Sequence, residues 1–280
     1  MPELPEVETI KNALQQRIGC CKIIDAIVRN AKLRKNIPND LCAKITNVSI
    51  IGYRRIAKYL VIDLSNKISL IWHMGMSGKI KITKNIPETL DKHDHVIITT
   101  TNGIIIYNDP RRFGLLSFCN TNELNTHECF KKTGLDPFDK KLNAEFLFQK
   151  LQQPPQTPIK ISLLNQEIIS GIGNIYASEI LYEARISPLR KSAELSLEEC
   201  NNIIIQTKKV LNKAISAGGS TLRDYKKPDG SLGYFQNQHC VSNKTGQRCS
   251  CCVCDITKTK GIKRVVIGGR STFFCEELQK

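Results

Sequence analysis

The sequence predicts an α+β protein in which an N-terminal antiparallel β-sandwich with flanking helices precedes a C-terminal helical domain that ends in a β-hairpin. Short runs rich in Ile, Val and Thr recur as far as Tyr107, and turn residues such as Asn102-Gly103 separate them. From Glu123 onwards the apolar residues recur at helical spacing instead. Strands that come first and helices that come later favour this fold class.

A helix opens the chain, because Val7, Ile10, Leu14 and Ile18 recur at helical spacing and Gly19 is placed to end it. Seven strand-like segments follow, at residues 22–28, 45–53, 59–64, 68–73, 79–83, 95–101 and 103–107. Their short, regular separation predicts antiparallel pairing in a sandwich.

The second half of the chain is predicted to be helical. Residues 152–158 contain three prolines, which resist both a helix and a central strand and therefore indicate a linker. Helices are expected at 159–164 and 174–183, and a longer one runs from a capping box at 196–199 to Gly218-Gly219. We therefore divide the chain into a sandwich domain (1–135), a linker region (136–158), a helical domain (159–235) and a hairpin (236–280).

The charge of the chain indicates a polyanionic partner. Its 280 residues include 41 Lys and Arg against 26 Asp and Glu, a formal net charge of +15. Between Arg223 and Arg270 there are ten Lys and Arg against three Asp. Clustered cations favour nucleic acid, because neutralising phosphates releases counterions. A solubilising surface is the alternative explanation.

The cysteines indicate a metal site. No stretch of the sequence reaches the ~18 apolar residues that a membrane span needs, and the acidic N-terminus is unlike an export signal. We therefore expect a soluble cytoplasmic protein, in which reducing conditions disfavour a disulfide framework. Six of the 12 cysteines lie between Cys240 and Cys275, and such a cluster suggests metal ligation.

Pro2, at the N-terminus, is a candidate nucleophile. Pro2 follows the initiator Met, which is normally removed before so small a residue, leaving a secondary α-amine with a pKa near ~8. Attack of such an amine on a sugar C1′ gives an iminium that favours elimination, and the carboxylate of Glu3 can move protons there. The same residues also suit an ordinary helix start, with Pro5 and Glu6 in the first turn.

Seven ordered motifs identify a family. The segments PELPEVETI, RRIAKYL, HMGMSG, KHDH, DPRRFG, GIGNIYASE and GGRSTFFC, spread from Pro2 to Cys275, resemble the formamidopyrimidine-DNA glycosylase family over essentially the whole chain. The resemblance implies a bifunctional DNA glycosylase and apurinic/apyrimidinic lyase of base excision repair. It implies removal of oxidised purines, such as 8-oxoguanine and formamidopyrimidines, from double-stranded DNA by a monomer. It also implies that the helical domain is a helix-two-turn-helix domain.

The resemblance assigns roles to individual residues. Pro2 forms the Schiff base, Glu3 moves protons at the sugar, Lys58 supports β-elimination and Arg270 supports δ-elimination. Six further residues match DNA contacts of the family: His93, Arg111, Met76, Phe113, Lys160 and Asn174. Met76, Arg111 and Phe113 are those that enter the duplex where the damaged nucleotide is flipped out. Residues 220–225 resemble the loop that closes over the oxidised base.

The family also implies a zinc-finger-like hairpin with two Cys-x-x-Cys pairs, from which this sequence departs. Leu278 stands where the fourth ligand belongs, three residues after Cys275. For the first pair we choose Cys249 and Cys252, whose surroundings match the family's spacing, over the overlapping pair formed by residues 251 and 254. Three interpretations stay open: Zn²⁺ held by these three cysteines plus Cys254 or Cys251, a hairpin without zinc, or a weak site completed by water.

Two other functions stay open as well. An enzyme of the related endonuclease VIII type shares the terminal amine and the glutamate but prefers oxidised pyrimidines. A catalytically inactive protein that binds damaged DNA is the other alternative, since one zinc ligand is missing. The presence of Pro2, Glu3, Lys58 and Arg270 argues against an inactive protein.

Overall fold

The structure is a computed structural model that describes residues 1–220, 227–253 and 255–280. The loop predicted at 220–225 therefore lies outside the described residues except for Ser220, and so does Cys254. The chain forms two compact units, residues 1–131 with 214–236 and residues 132–213 with 237–280. The four-part division drawn from the sequence stays a prediction.

The first unit is a β-sandwich of two four-stranded antiparallel sheets, with strand orders β1-β6-β7-β5 and β2-β3-β4-β8. Its elements are α1 (Leu4–Arg17), β1 (Ile23–Val28), α2 (Leu41–Ile45), β2 (Ile50–Ile56), β3 (Tyr59–Leu64), β4 (Ile68–His73), β5 (Lys79–Thr83), β6 (Asp94–Thr100), β7 (Gly103–Asn108) and β8 (Leu115–Asn120). The predicted α+β class and N-terminal antiparallel sandwich are confirmed.

The core of the first unit lies between these sheets and α1. Trp72 of β4 and Tyr107 of β7 are fully buried, and their rings meet edge to face with centroids 5.2 Å apart. Ile10 and Leu14 of α1 are also fully buried in this core. Each large side chain buried in this way contributes about 1.5–3 kcal/mol to folding, so the loops at the strand ends have a rigid support.

One predicted strand is wrong at its start. Residues 45–49 do not extend β2, because Leu41 and Ile45 are both buried on one face of the short helix α2. Asn47, with φ +64°, then turns the chain into β2. Two buried residues four apart form a helical pair, which the Ile- and Val-rich run concealed.

The second unit is helical and ends in a two-stranded sheet. Its elements are α3 (Ala144–Leu151), α4 (Ile159–Leu164), α5 (Asn174–Glu183), α6 (Leu197–Ser216, of which 197–213 lie in this unit), α7 (Ile256–Thr259), β9 (Lys263–Ile267) and β10 (Arg270–Phe274). The predicted capping box opens α6, since Glu199 N–H donates to Ser196 Oγ and Ser196 N–H donates to Glu199 Oε2. Among the described residues no helix is long and apolar enough to cross a membrane.

Candidate functional site

The start of α1 is fixed by one buried carboxylate. Pro2 is buried, and Glu3, 3 % exposed, is the N-cap residue of α1. Glu6 Oε2 accepts the Glu3 backbone N–H at 2.8 Å, and Glu6 Oε1 accepts the Ser220 N–H at 2.8 Å. The backbone at the predicted nucleophile is therefore held before any substrate arrives, as catalysis by positioning requires.

Lys58 lies in the tight turn between β2 and β3. The turn uses Ala57 at φ +54°, and Lys58 is only 8 % exposed. Arg55 ties this turn to α1, because its guanidinium bonds to Glu8 Oε2 at 2.7 Å and to the Ala57 carbonyl at 3.2 Å. The structure therefore ties the turn that carries Lys58 to α1, whose N-cap residue Glu3 follows the predicted nucleophile Pro2.

The charges of Lys58 and Arg34 act on the nearby His73. Burial lowers the His73 pKa to about 4, with further lowering by the charges of Lys58 and Arg34. The imidazole is therefore neutral at pH 7, and its Nδ1 accepts the Gly75 N–H at 3.0 Å. This bond holds the start of the loop that carries Met76.

Met76, Arg111 and Phe113, here called the wedge residues, project from two adjoining loops of the first unit. Met76 is 41 % exposed and Phe113 is 45 % exposed. The Arg111 guanidinium lies over the Phe113 ring, 4.8 Å from its centroid. The loops touch through backbone, because a Cβ at Gly75 would lie 2.4 Å from the Phe113 carbonyl carbon. Exposed large side chains on a tightly packed base suit insertion into a base stack.

His93 is held beside the second of these loops. Its carbonyl accepts the Asp109 N–H at 3.0 Å, and its ring meets that of His95 with centroids 6.3 Å apart. The structure thus brings four predicted DNA contacts of the first unit to neighbouring strand ends.

In the second unit, Lys160 and Asn174 support the hairpin that carries Arg270. Lys160 is fully buried, and its Nζ donates to Thr272 Oγ1 at 2.8 Å and to the Ser271 carbonyl at 3.2 Å. Asn174 Nδ2 donates to the same carbonyl at 2.9 Å. Arg270 itself is exposed. Both residues were predicted as DNA contacts, and the contacts observed here are to the hairpin.

The hairpin itself has the predicted tight turn. Ile267 pairs with Arg270, so Gly268 and Gly269 alone form the loop, with φ +55° and +71°. Positive φ at both central residues is the conformation that matches the twist of a two-residue hairpin, and glycine adopts it without strain. The guanidinium of Arg270 therefore begins at a defined strand end.

The sulfur atoms of Cys249, Cys252 and Cys275 lie within 4.8 Å of one another, as the sequence predicted. The Cys252 and Cys275 sulfurs are 3.6 Å apart, close to the ~3.8 Å edge of a tetrahedron with ~2.3 Å Zn–S bonds. Cys251 is exposed and lies outside this group.

The surroundings of Cys249 favour its thiolate, whereas burial raises the pKa of Cys275. Burial raises the pKa of Cys249, but hydrogen bonds from the Tyr182 hydroxyl and from the backbone of Cys251 and Cys252 outweigh it, and the net shift is downward. Tyr182 Oη lies 3.1 Å from Cys249 Sγ. Leu278 packs against the same apolar cluster. The residues present therefore fit a metal bound by three thiolates.

Sequence reasoning missed the buried polar residues that hold these side chains in place: Glu6, Arg55, Ser77, Asp109 and Tyr182. Each lies within or beside one of the seven motifs. A polar residue between apolar strand or helix positions is the signal that could have found them, because a buried polar group needs a partner.

Comparisons with known proteins agree with this geometry. Residues 1–116 match the model of the formamidopyrimidine-DNA glycosylase N-terminal domain, and residues 133–226 match that of its H2TH domain. The chain is 43 % identical to the formamidopyrimidine-DNA glycosylase of Zymomonas mobilis subsp. mobilis and 39 % identical to that of Rhodospirillum rubrum, each over 100 % of both chains.

Solved structures give the same result. The chain resembles the Lactococcus lactis Fpg bound to DNA that contains an abasic site, with TM-score 0.89, 31 % identity and 99 % of both chains covered. Complexes of wild-type Lactococcus lactis Fpg with N7-benzyl-Fapy-dG DNA and with DNA containing an oxidised pyrimidine match equally well, each with TM-score 0.89, 31 % identity and 100 % of both chains covered.

Proposed function

The chain belongs to the formamidopyrimidine-DNA glycosylase family, and we propose that it is a DNA glycosylase of base excision repair that removes oxidised purines and then cleaves the strand. One observation carries this proposal. The buried start of α1 at Pro2 and Glu3 is tied through Arg55 to the turn that carries Lys58, within the unit that also carries the wedge residues. A nucleophile, a proton carrier and a cation are thus fixed on one scaffold.

In the proposed chemistry, the Pro2 amine attacks C1′ of the damaged nucleotide. The C1′–N bond to the base breaks, the sugar ring opens, and an iminium joins Pro2 to the DNA. Its permanent positive charge withdraws electrons, so a proton at C2′ becomes acidic. Glu3 moves protons at the sugar, and the low exposure of its carboxylate strengthens its electrostatic effect on the reacting atoms.

Strand cleavage follows from the iminium. Loss of the C2′ proton expels the 3′ phosphate by β-elimination, which Lys58 supports from its turn beside α1. A second, δ-elimination expels the 5′ phosphate and leaves a one-nucleotide gap, and we assign its support to Arg270. The partners of Lys160 and Asn174 favour the assignment, because both hold the backbone next to Arg270.

Opening of the duplex is assigned to the wedge residues. The apolar side chains of Met76 and Phe113 replace stacking that is lost when the damaged nucleotide leaves, and Arg111 hydrogen-bonds the base left unpaired. His93, at the neighbouring strand end, contacts a phosphate.

We further propose that Cys249, Cys252 and Cys275 hold one Zn²⁺. Bound there, zinc supplies folding free energy to a hairpin that has little core of its own. Burial around Tyr182 and the thiolate-stabilising hydrogen bonds to Cys249 support this assignment.

Borohydride reduction tests the proposed function. Wild-type protein mixed with 8-oxoguanine duplex and borohydride is expected to form a covalent adduct, and digestion followed by mass spectrometry should locate it on residue 2, with Met1 removed. Pro2→Gly is expected to lower the yield about 100-fold, because it loses the constrained secondary amine. Pro5→Ala, which changes a proline without a terminal amine, serves as the matched control. Absence of an adduct, or equal trapping by Pro2→Gly, refutes the mechanism.

Oxidised pyrimidines are the second candidate substrate class. The observation that favours them is the match to the Lactococcus lactis complex with DNA containing an oxidised pyrimidine. Parallel excision assays on 8-oxoguanine and thymine glycol duplexes separate the two. Faster excision of thymine glycol would replace the purine assignment.

A further inference from the structure

Three loops that carry candidate DNA contacts in the first unit converge on one buried residue. We propose that Asp109 is a positioning residue that holds the wedge residues in a single geometry, so that extrusion of the damaged base depends on it. The proposal rests on the proposed function and names how the site opens the duplex. Asp109 itself is fully buried.

The carboxylate of Asp109 joins the two wedge loops. Its Oδ1 accepts the Ser77 hydroxyl at 2.5 Å, next to Met76, and its Oδ2 accepts the Gly114 N–H at 2.8 Å, next to Phe113. Ser77 Oγ in turn accepts the Arg111 N–H at 3.1 Å. One carboxylate therefore fixes a neighbour of each wedge residue.

The backbone of Asp109 fixes the third loop. Its N–H donates to the His93 carbonyl at 3.0 Å, and its carbonyl accepts the His95 Nε2–H at 2.8 Å. His95 is fully buried, so this bond anchors the strand end that carries His93. The residue proposed to grip a phosphate and the residues proposed to enter the stack thus share one support.

The packing around Asp109 leaves little freedom. Tyr107 Oη donates to Asp109 Oδ2 at 3.1 Å, and burial together with the Asp109 charge raises the Tyr107 pKa, so this donor stays protonated. A Cβ at Gly114 would lie 1.7 Å from the same hydroxyl oxygen, and one at Gly78 would lie 2.6 Å from it. Glycines at these points let both loops pack directly on the Tyr107–Asp109 pair.

This arrangement explains how exposed side chains can act as a wedge. Met76 and Phe113 are more than two-fifths exposed, and neither is held by a core of its own. A side chain that enters a base stack acts best if its backbone does not yield when the stack resists. Hydrogen bonds beneath the loops provide that resistance, and Asp109 makes or accepts six of them, including one from the Arg112 N–H to its carbonyl at 3.2 Å.

The test compares substrates that differ in whether a base must be extruded. We expect Asp109→Asn to slow single-turnover excision of 8-oxoguanine up to about 100-fold, as a small misplacement of working groups can. Cleavage at a preformed abasic site, where no base is extruded, is expected to fall much less. Ser77→Ala, a milder change, should slow excision of 8-oxoguanine about tenfold and should again affect cleavage at the abasic site much less. Ser69→Ala removes a partly buried Ser–Asp bond of the same sandwich at 2.6 Å and serves as the matched control.

A double-mutant cycle separates positioning from general damage. In a Met76→Ala, Phe113→Ala background, Asp109→Asn is expected to change excision by no more than about twofold, because the wedge through which it acts is already gone. Losses that multiply in this background, or equal losses on both substrates, overturn the proposal. If Asp109→Asn does not fold, the Ser77→Ala cycle decides.

A fluorescence measurement tests the role of Asp109 separately from the proposed glycosylase function. On binding, wild-type protein is expected to unstack a 2-aminopurine placed beside the lesion and raise its fluorescence, whether or not chemistry follows. Ser77→Ala and Asp109→Asn should bind the duplex with a smaller rise. Wild-type protein that raises fluorescence without excising refutes the proposed function only, whereas an undiminished rise with both variants refutes the role of Asp109.

Discussion

The wedge region of the first unit and the cysteine hairpin of the second unit hold their working residues by different physical means. In the wedge region, hydrogen bonds to Asp109 lie directly on a large core that includes Trp72 and Tyr107. The hairpin has two strands of five residues, β9 and β10, and a small apolar cluster around Cys249 and Cys275. A two-stranded hairpin is marginally stable by itself, so its geometry depends on the cysteines and on the bonds from Lys160 and Asn174.

This difference explains where the chain tolerates a departure from its family. In the wedge region each loop is held by several bonds and by close backbone packing. At the hairpin, Leu278 stands where the family is expected to have a fourth cysteine, and three sulfurs are grouped there among the described residues. Tyr182 and the backbone N–H groups near Cys249 compensate in part, because they stabilise the thiolate form.

The largest expected effect is loss of the zinc proposed for the hairpin. Cys275→Ala removes one of the three grouped sulfurs, and we expect zinc affinity to fall more than about 100-fold and amide exchange in β9 and β10 to accelerate. Strands β3 and β4 should exchange as in wild type, because their protection comes from the sandwich core. Elemental analysis of tag-free protein and hydrogen exchange with and without a chelator measure both effects. A metal-free wild type whose hairpin exchange ignores the chelator contradicts the zinc proposal.

A smaller effect, an increase in zinc affinity, is expected when a cysteine is placed at position 278. Leu278→Cys places a fourth thiol against the cluster, and zinc affinity should rise about 10- to 100-fold, since one more thiolate replaces a weaker donor. Cobalt substitution reports the number of thiolates through the intensity of the sulfur-to-metal absorption. Leu189→Cys adds a cysteine at a half-exposed leucine of the same unit and serves as control. An unchanged cobalt spectrum in Leu278→Cys would show that another side chain already completes the site.

The wedge region and the hairpin also differ in how much of each could be predicted from the sequence. Most strands and helices were found from local apolar spacing, and cysteine spacing predicted the cluster. Strand β8 (Leu115–Asn120) was missed, and α3 (Ala144–Leu151) lies in the predicted linker region. The role of Asp109 was not predictable, because its partner Ser77 lies 32 residues away and pairs with it only in the folded sandwich. Lys160 was predicted to reach DNA from its family position, but its partner Thr272 is 112 residues distant. Functional side chains can be identified from local sequence motifs, whereas the residues that hold them in place can be identified only from the tertiary structure.

The smallest expected effect is a loss of folding stability at acid pH. It tests the wedge region independently of the hairpin. His73 holds the loop of Met76 through Gly75, and its native pKa of about 4 lies below the ~6.5 of an unfolded chain. Above pH ~6.5 both states carry a neutral imidazole, and the group adds no pH dependence. As the pH falls from ~6.5 towards 4, His73 becomes protonated in the unfolded chain but stays neutral in the native state. The free energy of unfolding therefore falls by up to about 1.4 kcal/mol per pH unit.

His73→Asn isolates this contribution, because the asparagine oxygen can accept the Gly75 N–H but does not titrate. Between pH 7.5 and pH 5.5 we expect the free energy of unfolding in urea to fall about 1 kcal/mol more for wild type than for the variant. Protonation of the thiols proposed to bind zinc lowers the stability of both proteins alike, so the difference between them belongs to the wedge region alone. Equal losses would mean that His73 is protonated in the native state at pH 5.5, and that acid reaches the loop of Met76 without opening the sandwich.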